Sequence, residues 1–570
     1  MKAVLKNNNS WLLFEDPIKT FEIFDPKEVS KILKDISKLN LYAIVIISYE
    51  ASLAFDESNI VKKNNKFPLL TVGLFKDPKV SNILPELTES KELNFQIDNL
   101  IPSINSDEFI QKIKKIKTHI SSGNTYQVNF TYRLNGQFYG CSYSFFKSLI
   151  NKQDTKYSAY IDMNNWSICS VSPELFFSLE GQKLISKPMK GTIKRGVNTN
   201  DDLQQSLKLK NSEKDKAENI MIVDMIRNDL GKIPNISSIN TLKKFETESF
   251  PTLWQMTSTV EAQVKQDPFE IIKAMFPCAS ITGAPKIKTM EIIKDLECSP
   301  RNIYTGSIGL ISPNRNALFN VAIRTALIDK KTNDITYGIG SGIVWDSQEK
   351  DEYDETLLKS KIMLNQYSNF DLVETMLWTP NEKIILQKYH LERLKKSADF
   401  FKRKFKTDKA EKILNSFYSD TPQKIRLLLN DNNQLLIENS KFEELNKDRI
   451  IKIKLAKNHI NSSNIFVQHK TTNRAVYDNA KKDLHDCDDV VLWNENQHIT
   501  ECSIYNIAIF KNNRWITPPL KCGLLNGIMR AELIKQKIIH EDIVKLSDLN
   551  KSTKIMLFNS VRECVKAILI

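Results

Sequence analysis

No apolar run in this chain of 570 residues approaches the roughly 18–20 residues needed to cross a bilayer. The opening stretch Met1–Pro17 also lacks an apolar core of signal-peptide length. A membrane partner and export are therefore not expected, and the cytoplasm is the expected compartment. The eight cysteines, at positions 141, 169, 278, 298, 487, 502, 522 and 564, include no CxxC pair, and seven histidines are too few to complete an evident zinc site. They read as thiols kept reduced. The formal charge of +13 comes from 81 Lys and Arg against 68 Asp and Glu. It is spread along the chain with no long basic block, so it reads as solvated surface and nucleic acid is not an expected partner. Internal repeats and low-complexity tracts are absent as well.

What is present is ample material for cores. The chain is 41% hydrophobic and 26% charged, the balance of a globular protein, and its length calls for more than one domain. Residues 1–100 alternate strand-like pieces such as Ala43–Ile47 with polar connections. From about 105 to 360 helices and β-branched strands mix, with Phe109–Ile120 predicted helical and Ile303–Ile311 a strand. The pattern restarts near Tyr367-Ser368-Asn369, with a strand at Phe370–Trp378 and an amphipathic helix at Leu386–Phe401. The predicted organisation is a domain over 1–362, a linker over 363–369 and a second domain over 370–570, of mixed α/β (α+β) class.

In the first domain Lys190 stands out. It follows the alternating strand Leu175–Leu179 and lies in Lys187-Pro188-Met189-Lys190-Gly191-Thr192, where Pro and Gly predict a fixed tight turn. Such a setting presents one side chain at a defined point, although a loop lysine is ordinarily only a charge. Asp215–Gly231 is predicted to be a helix closed by Gly231 as its C′ residue, with Asp215 and Glu218 on one face. Asp351–Lys359 repeats the device with Glu352, Glu355 and Lys359. Acidic helix faces are usually solvated surface, but two of them suit Mg²⁺, which takes a few carboxylates and keeps other positions for water or substrate oxygens. Between them run Pro277–Lys286, whose small residues offer backbone N–H groups to an anion ahead of a helix at Lys288–Leu296, then Tyr304–Gly309, then Arg324, a strong carboxylate binder, and Gly338–Gly342.

Taken in order, Ser172-Pro173-Glu174, Glu218–Leu230, Ser280–Lys286, Tyr304–Gly309 and Glu352–Lys359 resemble the motifs of the chorismate-binding enzyme family, across about residues 100–362. The family includes anthranilate, aminodeoxychorismate, isochorismate and salicylate synthases. The resemblance implies a large sandwich of two orthogonal sheets with helices outside. It implies Mg²⁺ held by Glu218 and Glu355 with Asp215 and Glu352 in support. Arg324 would bind a substrate carboxylate, Gly340 and Gly342 would give backbone contacts, and Gln127, Thr282 and Tyr304 would line the same site. Lys359 would lie near the metal-bound carboxylate. Glu174 would be the general acid for the C4 hydroxyl, which requires a pKa raised by burial.

Lys190 matches the motif lysine of aminodeoxychorismate synthases, where anthranilate synthases carry a small residue. The resemblance makes it a nucleophile that adds at C2 of chorismate as the C4 hydroxyl leaves, before ammonia enters at C4 and the lysine departs. Gln127 stands where isochorismate and salicylate synthases carry a lysine base for water, which favours ammonia as the second nucleophile. Gln255 stands where many members have His; it can donate a hydrogen bond but not become a cation. Ser48-Tyr49-Glu50-Ala51 resembles the family's N-terminal segment.

In the second domain Phe466–Arg474 is predicted to set Lys470 at a strand end. Ile499–Phe510 carries Glu501 and Asn506, Leu525–Arg530 enters a helix predicted at Ala531–Ile538, and His390–Leu394 puts Arg393 on a helix. Each piece alone is bland. Their order suits pyridoxal phosphate, which needs a lysine for its Schiff base, an acid for its ring nitrogen and a helix start for its phosphate. Residues 370–570 resemble fold-type IV pyridoxal-phosphate enzymes and, within them, aminodeoxychorismate lyases. That resemblance implies Lys470 as the Schiff-base lysine, Glu501 at the pyridine nitrogen, Arg393 with the Gly527, Ile528 and Met529 backbone at the phosphate, and Asn506 in a structural place.

Together the two resemblances imply 4-aminobenzoate synthesis for folate: chorismate is aminated to 4-amino-4-deoxychorismate, then pyruvate is eliminated. No Gly-rich turn presents a cysteine of glutaminase type, so a separate glutamine amidotransferase subunit is the expected source of ammonia. A homodimer through the second domain is physically reasonable. Two alternatives stay open: an anthranilate-type synthase fused to a fold-type IV aminotransferase, and a second domain that has lost its chemistry and serves only to dimerise.

Overall fold

The strand Tyr42–Ile47 is apolar without alternation because both of its faces are covered. Ala43, Val45 and Ile47 belong to one core cluster and Ile44 and Ile46 to another, the period-two division of a strand between two layers. The structure, a computed structural model, describes every residue except 64–65, 88–93, 154, 197–198, 251–252, 365–369, 445, 447–448, 483–485 and 551–552, and omits side chains 358 and 361–364 of one helix. The chain divides into two compact units, Met1–Arg195 with Gln205–Gln366, and Tyr367–Ile570 with Gly196–Gln204. Of the expected linker, residues 365–369 lie outside the described residues, and 363 and 364 belong to the helix Glu349–Leu364.

Two antiparallel sheets of ten strands each form the first unit. One runs in the order Gly283–Ala284, Gln127–Gly140, Asp334–Ile343, Thr325–Asp329, Trp166–Ser172, Tyr157–Asp162, Lys2–Asn7, Ser10–Phe14 and Lys79–Ser81, with Phe95–Pro102 also on Gln127–Gly140. The other runs Met189–Lys194, Leu253–Gln263, Lys183–Lys187, Leu175–Glu180, Ala317–Val321, Ser307–Ile311, Tyr42–Ile47, Leu70–Phe75 and Lys19–Ile23, with Ser238–Ser249 also on Leu253–Gln263. Ala3, Leu5, Leu12 and Phe14 of the first sheet share a core with Ile44, Ile46, Ile308 and Leu310 of the second. Outside, Phe109, Ile113 and Ile116 of the helix Ser106–Ser121 pack on the first sheet. Ile222, Val223, Ile226 and Leu230 of the helix Glu213–Gly231 pack on the second. This is the expected sandwich with outer helices. Each such buried apolar side chain contributes about 1.5–3 kcal/mol.

Local signals set the helix starts. Asn105 and Glu108 form a reciprocal capping box ahead of Ser106–Ser121, and Ser212 accepts from the Asp215 N–H ahead of Glu213–Gly231, each cap contributing about 1 kcal/mol. Gly231 is the last helical residue rather than the residue beyond the cap; Lys232 caps instead and its ammonium pairs with Asp229. The predicted strand Ile303–Ile311 is shorter, Ser307–Ile311. Its first residues form a turn in which Thr305 takes a positive φ of 60° and the Gly306 N–H donates to the Ile303 carbonyl.

In the second unit a four-stranded sheet, ordered Lys383–Ile384, Leu372–Thr379, Gln423–Leu429 and Leu435–Lys441, packs under the helix Gln387–Phe400 through Leu391, Leu394 and Ala398. An eight-stranded mixed sheet is ordered Ile499–Cys502, Asp489–Trp493, Ile451–Leu455, Glu563–Leu569, Ile555–Asn559, Asn506–Lys511, Arg514–Thr517 and Ile539–Glu541. The predicted strand leading to Lys470 is instead a short helix, Ile465–Gln468, because Asn464 accepts from the Phe466 N–H and starts a helical turn. The last helix begins at Ile528 rather than Ala531, with Gly527 as its N-cap. Among the described residues no helix is long and apolar enough to cross a membrane.

Candidate active sites

Lys190 lies on the strand Met189–Lys194, not in a tight turn. Pairing with Leu253–Gln263 slips there: Met189 faces Thr257 but Thr192 faces Gln255. One residue is therefore extra, and Gly191, at φ +84°, absorbs it as a β-bulge. A Cβ on Gly191 would meet Asp215 Oδ1 at 2.8 Å, so glycine also lets the acidic helix close on the bulge. The Lys190 amine is buried, and burial pushes its pKa down; Lys359 adds to that, while Glu218, Glu174 and Glu355 oppose it. A lysine of this kind carries more free amine at neutral pH than a surface one.

Glu174 and Arg324 both sit where the chain crosses from one sheet to the other. Glu174 joins Trp166–Ser172 to Leu175–Glu180, and Arg324 joins Ala317–Val321 to Thr325–Asp329. The two crossings lie side by side: the Val321 N–H donates to the Glu174 carbonyl and the Val171 N–H to the Arg324 carbonyl, each at 3.1 Å. Arg324 needs a positive φ of 51° to make its crossing. Burial pushes the Glu174 carboxyl up to about 7, against the Ser280 hydroxyl, which donates to Oε1 at 2.6 Å, and against Lys190, the Met189 N–H and Arg324. Burial brings Arg324 down to about 10. Its Nη1 is buried with no partner among the described residues, and the guanidinium lies 5.1 Å from the Phe250 ring centre.

Gln127 and Lys190 converge on Gly342. A Cβ there would stand 2.7 Å from Gln127 Nε2 and 2.9 Å from Lys190 Nζ. Both polar atoms of the Gln127 side chain are buried without partners among the described residues. Gly340 is closed in by the Phe130 carbonyl, 2.5 Å from its would-be Cβ, and Gly338 by the Tyr304 ring, at 2.1 Å. Tyr304 is itself buried, with its phenol pushed up to about 12 by burial. The Thr282 hydroxyl is engaged within its own turn, on the Cys278 and Ala279 carbonyls. The Ser280–Lys286 run acts first as an edge strand, Gly283–Ala284 pairing with Gln127 and Val128. Lys286 reaches Asp229 at 2.5 Å. Gln255 Oε1 is buried without a partner among the described residues.

The four acidic residues differ in their surroundings. Glu355 pairs with Lys359 at 2.7 Å, and the Lys359 ammonium donates on to the Gly340 carbonyl at 3.1 Å. Burial works against the Glu355 carboxylate, but Lys359 still holds its pKa below the usual value. Glu352 accepts from the Ser341 and Ser347 hydroxyls. Burial pushes Glu218 up to about 7, with Asp215 and Glu352 adding repulsion and Lys190 and Lys214 opposing it. Burial also raises Asp215. Among the described residues no group of three or more His, Cys, Asp or Glu is gathered tightly enough to hold a metal ion. An all-carboxylate set with at most a pair of near ligands fits Mg²⁺ bound largely through water and substrate oxygens, and does not fit an all-protein cage.

In the second unit burial brings the Lys470 amine down to about 8, helped by Arg393 and Arg474 and opposed by Glu374 and Glu501. Its segment is pinned beside the four-stranded sheet, where the Val373 N–H donates to the Lys470 carbonyl at 3.1 Å. Glu501 is pushed up to about 8 by burial and accepts from the Tyr477 hydroxyl at 2.8 Å, the Leu525 N–H at 3.1 Å and the Asn506 amide at 3.1 Å. The same amide donates to the Leu525 carbonyl at 3.0 Å, and Asn506 Oδ1 stands 1.9 Å from where a Gly527 Cβ would be. Asn506 thus ties the acid to the turn before the helix Ile528–Lys535. Arg393 donates to Glu374 and to the Asn526 carbonyl. Glu374 and Tyr477 escaped the sequence reading, since no motif or spacing links them to the residues they hold; Ser280 and His390 fell within motifs read there but carried no assigned role.

Residues 6–365 match the family model described as chorismate binding enzyme, and residues 371–570 match amino-transferase class IV. Aminodeoxychorismate synthase component 1 of Escherichia coli is 35% identical over 285 residues, 49% of this chain and 62% of that protein. The probable chloroplastic aminodeoxychorismate synthase of Oryza sativa subsp. japonica is 38% identical over 261 residues, 45% of this chain and 29% of that protein. The chain thus spans less than two thirds of the length of either relative. Anthranilate synthase component I from Streptococcus pneumoniae superposes with a TM-score of 0.53 at 20% identity, covering 64% of this chain and 92% of that one, a likeness of fold.

Proposed function

The chain belongs to the chorismate-binding enzyme family, and from that premise we propose that its first unit aminates chorismate at C4 and its second eliminates pyruvate from the product to give 4-aminobenzoate. The observation that carries the reading is one buried lysine amine acting electrostatically on one buried carboxyl that titrates near neutrality, Lys190 and Glu174. That is the pair a substitution through a covalent lysine intermediate requires.

Arg324 takes a substrate carboxylate. The Lys190 nitrogen bonds to C2, both ring double bonds shift by one position towards C4, and the C4–oxygen bond breaks as Glu174 hands its proton to the departing oxygen, which leaves as water. Ammonia then bonds to C4 with the reverse shift, and the C2–nitrogen bond breaks to return the lysine. Gln127 beside Lys190 offers no base to activate water, which leaves ammonia as the second nucleophile. Glu218 and Glu355 would hold Mg²⁺, with Asp215 and Glu352 in support, and the ion would supply positive charge for a substrate carboxylate. A separate glutamine amidotransferase subunit supplies the ammonia, in the cytoplasm.

In the second unit pyridoxal phosphate, when bound, supplies the electron sink for the elimination. Lys470 would be the amine that holds the cofactor and the group that moves the proton. Glu501, oriented by Tyr477 and Asn506, would pair with the ring nitrogen. Arg393 and the first N–H groups of the helix Ile528–Lys535 would hold the phosphate. The new aromatic ring drives the step to completion. Incubating the purified chain with chorismate, ammonia, Mg²⁺ and pyridoxal phosphate should yield 4-aminobenzoate and pyruvate; anthranilate or isochorismate as the main product overturns the assignment of the first unit.

A further inference from the structure

Glu374 is buried and carries more partners than any role assigned to it requires. It lies on the strand Leu372–Thr379. Oε1 accepts from Arg393 Nε at 2.9 Å and Oε2 from Arg393 Nη2 at 2.7 Å, a bidentate fork. Oε2 is also 2.6 Å from His390 Nδ1, one turn before Arg393 on the helix Gln387–Phe400. His390 is fully buried, and burial lowers its pKa despite Glu374, so the ring is neutral and Nδ1–H is the donor. A neutral histidine, one carboxylate and one guanidinium leave the cluster without net charge. The third direction of the guanidinium is fixed as well, since Nη1 donates to the Asn526 carbonyl at 3.0 Å. Asn526 directly precedes Gly527, the N-cap of the helix Ile528–Lys535. One N–H on each of Nη1 and Nη2 remains without a protein partner among the described residues.

An arginine at an anion site gains nothing from a neutralising carboxylate in simple charge terms. The gain is placement: a flexible side chain is held in one rotamer before any ligand arrives, and less freedom is lost on binding. Resting on the reading of the second unit given above, we propose that Glu374, with His390 behind it, is a positioning residue for the phosphate end of the cofactor, holding Arg393 against the start of the helix Ile528–Lys535. The carboxylate shapes the anion site and touches no reacting atom.

The test separates phosphate recognition from the rest of the cofactor. The full chain, freed of cofactor, is titrated with pyridoxal 5′-phosphate and, separately, with pyridoxal, following the absorbance of each. Glu374→Gln is expected to weaken pyridoxal phosphate binding by about tenfold or more, as for loss of a charge-assisted pair, and to leave pyridoxal within about twofold of the parent. Inorganic phosphate should compete with pyridoxal phosphate in the parent chain and lose that power in the variant. Should Glu374→Gln not fold, Glu374→Asp, which keeps the charge and shortens the reach, is read the same way. Equal weakening of both ligands, or of neither, overturns the inference. A parent chain that fails to take up pyridoxal phosphate at all overturns the reading of the second unit instead.

Discussion

Ser280 Oγ donates a 2.6 Å hydrogen bond to Glu174 Oε1, and the same hydroxyl lies 3.2 Å from Cys278 Sγ. The bond favours the ionised carboxylate and so restrains a group that burial pushes up to about 7. A general acid works only while protonated, so chorismate consumption at saturating ammonia should decline as pH rises through about 7. Ser280→Ala removes the restraint, and the alkaline limb of the kcat profile should move to higher pH. A limb that does not move would remove Glu174 from the role of acid.

Gly342→Ala should separate stability from activity. The new methyl would press on Gln127 Nε2 and Lys190 Nζ, at 2.7 and 2.9 Å. Both are the far ends of flexible side chains, so the fold yields easily and the melting temperature should fall by no more than a few degrees, a cost of about 1 kcal/mol. The amine is displaced, however, and misplacement by about 1 Å typically costs about a hundredfold in rate. Differential scanning calorimetry together with kcat for chorismate amination checks the pair; a melting temperature and a rate that fall in step would refute the separation.

Lys190→Ala should lower amination by a factor on the order of 10³ or more, as for loss of a covalent nucleophile, while chorismate still binds through Arg324. Removing a buried amine also removes its desolvation cost, so the variant should unfold no more easily than the parent. Calorimetric titration with chorismate and thermal unfolding check both halves. Undiminished aminodeoxychorismate formation with ammonia would end the covalent mechanism.

The sandwich was legible because its strands carry their own signature. Tyr42–Ile47 needs a cover on each face, and such runs recur along the chain. The acidic helices were legible from spacing, as were Lys470 and Glu501 from their order. Other features left no trace in local pattern. Nothing near Lys190 announces a register slip, because a bulge is defined by the partner strand, Leu253–Gln263, which lies some sixty residues away. The helix at Ile465–Gln468 replaced a predicted strand because a single Asn side chain outweighed β-branched neighbours. Arg324 could be singled out by type, but its place at a crossing between sheets is a property of topology.

Lys470 gives a prediction about loading. Only the free amine reacts with the cofactor aldehyde, and burial sets this amine at about 8, below the ordinary lysine value. The rate of pyridoxal phosphate incorporation into the cofactor-free chain should rise with pH through about 8 and level off within roughly two pH units above it. An ordinary lysine would still be accelerating there. Stopped-flow absorbance across that range checks it, and Lys470→Ala should show no incorporation.

The extra residue between Met189 and Thr192 changes the parity of the strand. With even steps, side chains on the two faces keep their turns all along the ladder; one inserted residue exchanges the faces from that point onward. The side to which Lys190 is presented is therefore decided by a count, not by its own chemistry. Deleting one residue of the bulge would let the strand run from Met189 to Thr192 without a slip, with Thr192 still facing Gln255, and would remove the exchange beside the lysine alone.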